Sequence, residues 1–197
     1  MANDSTAPGY LTPTSPPPAP EEDTDLDAVF QSLVAGVTGL PPDLVRPRWQ
    51  PIPPQQPAAD ENWCSLGVTS ETPNDGPSIT HNGAGDGTDT YERHEEIEVF
   101  TTFYGPGAQA TGKLLRDGLA VPQNTEGLLS FGIRWVECGS LRAVAELVNQ
   151  QWIRRYDMLL RFRRRVTRTY GVRNIDSSDS FIIDDYGVVT PIKVSGP

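Results

Sequence analysis

Eight arginines and one acid lie between Trp152 and Arg173. Guanidinium groups repeated at this density suit phosphates in a row, or carboxylates on another protein surface. Side chains alternate across a strand, which puts Arg155, Arg161, Arg163 and Arg165 on one side. Trp152, Tyr156, Met158, Leu160, Phe162 and Val166 fall on the other, interrupted by Arg154, Arg164 and Arg168. An opposite charge pattern lies upstream. A strand over Tyr91–Tyr104 would set Glu92, His94, Glu96 and Glu98 against an apolar face of Ile97, Val99, Thr101 and Phe103. Two readings compete for the arginine face: sequence-independent contact with nucleic acid, or pairing with an acidic face of Glu92, Glu96 and Glu98 on the same chain or on a neighbouring copy.

Three further patterns imitate catalytic or ligand sites. Gly107-Ala108-Gln109-Ala110-Thr111-Gly112-Lys113 enters a helix after a strand, as a phosphate-cradling loop does. Leu114, however, stands where magnesium needs a hydroxyl, and the alternating strand before it does not suit a buried parallel sheet. Phe181-Ile182-Ile183-Asp184-Asp185 has the look of an acidic companion motif, but too little chain remains to build a nucleotide fold around it. Gly83-Ala84-Gly85-Asp86-Gly87-Thr88-Asp89 precedes a strand, not a helix, and misses the calcium-loop spacing. It reads as a loop between strands. The cluster of Glu92, His94, Glu95, Glu96, Glu98 and His81 offers imidazoles and carboxylates, yet no positioned nucleophile accompanies them. No enzyme activity, metal or cofactor is therefore expected.

The elements that must carry these residues follow from periodicity. Residues 1–23 are rich in Pro, Ser, Thr and acids, and bury too little to offset the entropy of ordering, so an extended arm is expected. Tyr10 and Leu11 are its natural anchors on a neighbouring subunit. Leu26, Val29, Phe30, Leu33, Val34 and Val37 predict a helix capped by Thr24 or Asp25 and ended by Gly39 and Pro41-Pro42. Prolines hold Arg46–Pro54 extended. Trp63–Ser70 reads as a strand with Trp63, Ser65, Gly67 and Thr69 on one face; Thr72–Asp89 reads as a loop. A helix over Ala108–Leu119 would use Leu114, Leu115 and Leu119 as its core stripe, and a short second helix follows Val121-Pro122. Strands then run from Ile133 to Val136 and from Trp152 to Tyr170, the longer one bent or broken along its length. Phe181–Ile183 and Val188–Thr190, around Asp184-Asp185-Tyr186-Gly187, are able to pair as a hairpin. The order α-β-β-α-α-β-β predicts an α+β fold, a small, mostly antiparallel sheet flanked by helices, with a body over 24–172 between arms 1–23 and 173–197.

Composition narrows the classes further. The 197 residues carry a formal charge of −10, but the first hundred hold 17 acids against 3 bases, and the remainder 9 acids against 13 bases. The total is a sum of opposed regions. No apolar stretch approaches the roughly 18–20 residues of a membrane span, and Met1-Ala2-Asn3-Asp4-Ser5 has no signal-peptide character. Cys64 and Cys138 are too few for a disulfide framework or a four-cysteine zinc site, and read as small buried hydrophobes.

Several segments together resemble the bacteriophage neck or tail terminator proteins of the head–tail junction. They are Val37-Thr38-Gly39-Leu40-Pro41 with Leu44–Gln50; His94-Glu95 with Phe103-Tyr104-Gly105-Pro106; Leu114–Leu119 with Val121-Pro122-Gln123-Asn124; and Glu146–Arg155 followed by the Arg161–Tyr170 run. The resemblance spans about residues 26–172. It implies a virion structural protein without catalysis, assembled in the host cytoplasm. It further implies a six-fold ring of identical subunits that caps a finished tail tube, meets the head-side connector or collar, and leaves a channel through which genomic DNA passes non-specifically. Tail tube and sheath proteins become expected partners, with a contractile tail favoured. A small P-loop-like nucleotide-binding protein and a non-specific nucleic-acid-binding accessory protein are the alternatives.

Overall fold

The computed structural model describes residues 9–148, 150–174, 177–183, 186 and 189–195. Its helices are α1 (Thr24–Thr38), α2 (Ala108–Leu119) and α3 (Pro122–Thr125), and its strands are β1 (Val45–Pro47), β2 (Trp63–Pro73), β3 (Ser78–Asn82), β4 (Thr88–Tyr104), β5 (Ile133–Cys138), β6 (Arg142–Ala143), β7 (Glu146–Val148), β8 (Gln151–Ile153), β9 (Arg155–Gly171), β10 (Ser177–Ile183) and β11 (Val189–Ser195). The chain forms two compact units, one of Pro18–Gly76 and Arg93–Val166, the other of Met1–Pro17, Pro77–Glu92 and Thr167–Pro197. The long strands β4 and β9 contribute residues to each. The fold is α+β with a mostly antiparallel sheet.

In the larger unit the strand order is β1-β2-β4-β9-β5, with β6 also on β9. β2 pairs antiparallel with β4, and β5 with β9, whereas the short edge strand β1 runs parallel to β2. Phe30 on α1 meets Phe162 on β9 with ring centroids 4.8 Å apart. Around them Leu26, Val34, Leu66, Ile97, Val99, Phe103, Leu115 and Leu160 close a single apolar core. Alternation built this core on β9, where Met158, Leu160 and Phe162 are each separated by one outward-facing residue; on β4 it holds from Ile97 to Thr101 and gives way to a run of buried residues at Thr101, Thr102 and Phe103.

The helix α1 ends as expected at Gly39, whose left-handed φ of 72° lets its amide bond Ala35. Its start differs: Asp23 occupies the cap position and makes no side-chain cap bond, so neither Thr24 nor Asp25 caps the helix. The expected core stripe of α2 is also corrected. Leu114 is 51% exposed; the buried positions are Ala108, Gly112, Leu115 and Leu119. Gly112 sets this rotation, because a side chain there would collide with Leu141 and crowd Phe103. Between Val68 and Ser70 the β2 register slips, so Ser70 pairs Glu98 and the strict alternation through Thr69 breaks. The longest strand breaks at Arg154, between β8 and β9, in keeping with the expected bend.

In the smaller unit, the expected loop over 72–89 is partly strand. β3 pairs with the first residues of β4 through Ser78↔Glu92 to Asn82↔Thr88. Every β3 residue is exposed, so its sequence has no apolar alternation to betray it. Thr14 donates its amide to the Thr169 carbonyl at 2.7 Å, and Ser15 accepts the Thr169 amide. β10 and β11 form an antiparallel pair. Asp184, Asp185, Gly187 and Val188, expected at and beside its turn, lie outside the described residues.

Candidate interaction surface

One face of the larger unit's sheet is solvent-facing, and the arginine row lies on it. Two contacts fix how β4 and β9 meet there: Glu98 lies beside Arg161, and Thr101 Oγ1 donates to the Met158 carbonyl at 2.8 Å, so numbering falls on one strand as it rises on the other. Arg161 Nε lies 3.1 Å from Glu98 and 3.7 Å from Glu96, and its Nη1 donates to Glu137 at 2.8 Å. The hydrogen bonds that Arg161 donates to Glu98 and Glu137 raise its pKa further. Arg155 grips Asp157 with two bonds of 2.9 Å and reaches Glu146 at 3.4 Å. The structure thus brings Arg161 together with Glu96 and Glu98 inside one chain. Glu92 belongs to the smaller unit and pairs in register with Ser78.

Arg163 differs from its neighbours. It lies directly opposite Arg134 on β5, and both are exposed without a side-chain partner among the described residues. Directly opposed side chains approach to about 4.5–5.5 Å at Cβ, where like charges repel. Arg165 is exposed on the same face, its amide bonded to the Gly132 carbonyl. Of the arm anchors, Tyr10 is 94% exposed and Leu11 is also exposed.

Sequence reasoning missed two features of this sheet. The first is a row of stacked side chains across β1, β2, β4 and β9. Trp63 and Tyr104 lie parallel with centroids 4.2 Å apart, Arg46 sits over Trp63, and Arg155 sits over Tyr104. The Trp63 and Tyr104 positions signal it only if the β2–β4 register is known. The second is Arg164, which takes a core-facing position and is fully buried. Its Nη2 donates to the Pro20 carbonyl, and its Nη1 lies 3.9 Å from Glu95. Arg48 is similarly recessed, donating to Thr102 with its guanidinium over Phe100.

The motifs that imitate ligand sites are engaged in the fold. The Gly107 amide, which would have to face a phosphate, donates instead to Asn62 Oδ1 at 2.7 Å, and a side chain at Gly107 would meet Asn62. The strand before it is antiparallel to β2, so the crossover architecture of a nucleotide fold is missing there. In the smaller unit, His81 Nδ1 lies 2.6 Å from Asp89, and Asn174 bonds both His81 and the Gly83 carbonyl. These bonds fasten the glycine-rich loop to the chain. Among the described residues, no three His, Cys, Asp or Glu side chains form a metal-ligand group, and no helix is long and apolar enough to cross a membrane.

No curated protein matches the chain. Residues 24–185 match the family model of the phage neck terminator protein. That span takes in α1, the whole sheet and the arginine row, and it makes the chain a structural component of the virion neck, among the phage's head and tail proteins. The chain belongs to the phage neck terminator protein family.

Proposed function

We propose that this protein is one subunit of a six-fold ring that terminates the tail tube, joins it to the head-side connector, and leaves a central passage for DNA. The division of the arginine row carries this reading. Arg155 and Arg161 are neutralised by carboxylates of their own chain, while Arg163 faces Arg134 with no counter-charge. A DNA passage must not grip phosphates, or ejection would stall; neutralising Arg155 and Arg161, two of the four guanidinium groups in the row, weakens that grip. The unbalanced Arg134–Arg163 pair is then the contact point for an anionic group on a neighbouring subunit or adjoining ring. Arm residues Tyr10 and Leu11 and the segment 173–197 reach the adjacent connector, tube or sheath.

Counting subunits in the neck of assembled particles, by imaging or mass measurement, tests the ring; six is expected, and another number removes the six-fold assignment. The contact role needs a double reversal, because Arg163→Glu alone would merely pair with Arg134. Arg134→Glu with Arg163→Glu is expected to cut particle yield at least tenfold while leaving the purified chain folded. Undiminished yield refutes the contact.

A further inference from the structure

Strands β7 and β8 form a hairpin whose register places Leu147 directly opposite Trp152. These side chains share a face, and are 57% and 73% exposed. An exposed aliphatic–aromatic pair on a separate two-stranded ribbon has the composition of an interface anchor. In the sequence Arg142 precedes the hairpin and Arg154 directly follows it, both exposed and without side-chain partners among the described residues. On the helical side of the same unit, Ala28, Val29, Ser32, Leu33, Leu128 and Phe131 line an open groove of about 480 Å³. Its rim is acidic: Asp25 lies one helical turn before Ala28 and Val29 on the same face of α1, and Glu126 precedes the groove residue Gly127. Both acids are exposed.

We infer that the hairpin of one copy seats Leu147 and Trp152 in this groove on the next copy, with Arg142 and Arg154 meeting Asp25 and Glu126. The charges are complementary, an apolar finger between bases against an apolar groove between acids. A tryptophan presents about 150–250 Å² for burial, which suits a groove in the range of about 300–1,000 Å³. Finger and groove are different patches of one chain, so the contact is heterologous and propagates head to tail, as ring closure requires. This inference rests on the ring reading and specifies its subunit contact.

The test joins the exposed hairpin tip to the groove in the full chain. Gln150→Cys and Ser32→Cys are combined and treated, in purified particles, with a short bismaleimide, the single variants serving as background for Cys64 and Cys138. A ladder of covalent multimers is expected. A faster-migrating monomer would mean that the hairpin occupies its own groove, and overturns the inference. The absence of cross-links in particles whose necks still count six copies also overturns it, while leaving the ring intact. Independently, Leu147→Ala with Trp152→Ala is expected to lower particle yield at least tenfold without changing the melting temperature of the purified chain; full yield refutes the anchor.

Discussion

Asp27 accepts the Val68 amide at 3.1 Å, tying the first turn of α1 to β2 where that strand's register slips. Burial raises its pKa, Asp23 adds to the rise, and the bond from Val68 opposes it. A carboxyl raised on folding lends stability that is complete below its unfolded value near 3.8 and is lost as pH climbs through the folded value. Glu71 is raised in the same direction, first by burial and then by Glu95. Asp27→Asn keeps an oxygen acceptor for Val68 and removes the charge. Its melting temperature should rise at pH 7, by no more than about 2 °C given partial solvation, and match the parent at pH 3. A fall at pH 7 would show that the charge itself is needed. Cys64 follows the same physics more completely: burial pushes its thiol up to about 12, which leaves a small hydrophobe and no nucleophile.

At the level of elements, β9 shows both the reach and the limit of pattern reading. The alternation of Met158, Leu160 and Phe162 against Arg161, Arg163 and Arg165 was legible, because strand geometry alone decides it. Arg164 appeared only as an interruption, since its partners Pro20 and Glu95 are distant in sequence. Similarly, an arginine row is visible in one segment, but its neutralisation requires knowing that Glu98 and Glu137 flank it in space. Leu114, Leu115 and Leu119 suit a helical stripe equally well until the close approach at Gly112 fixes which side turns inward. Arg164 also yields the sharpest stability prediction. Arg164→Ala should cost about 3–5 kcal/mol in denaturant unfolding, because it strands Glu95 and frees the Pro20 carbonyl. Removing Glu95 as well should recover part of that loss. A cost below about 1 kcal/mol would mean that the buried guanidinium does not hold Pro20 and Glu95 to the sheet.

For the whole molecule, the net charge of −10 conceals local balance. If the seven arginines of residues 152–173 other than the buried Arg164 met phosphates, the logarithm of DNA affinity would fall with the logarithm of salt at a slope of about −6. With contact limited to Arg134 and Arg163, a slope of about −2 is expected. Titrating duplex DNA across a salt series measures it directly; a slope of about −6 would show that the internal ion pairs open toward DNA.

The opposed arginines of β5 and β9 bear finally on the order of construction. Two free copies brought together sheet to sheet would present the same Arg134–Arg163 doublet to each other, and that encounter is electrostatically discouraged. Face-to-face pairs through this sheet are thereby disfavoured. On the proposed reading, that repulsion keeps this face open for a surface of opposite charge.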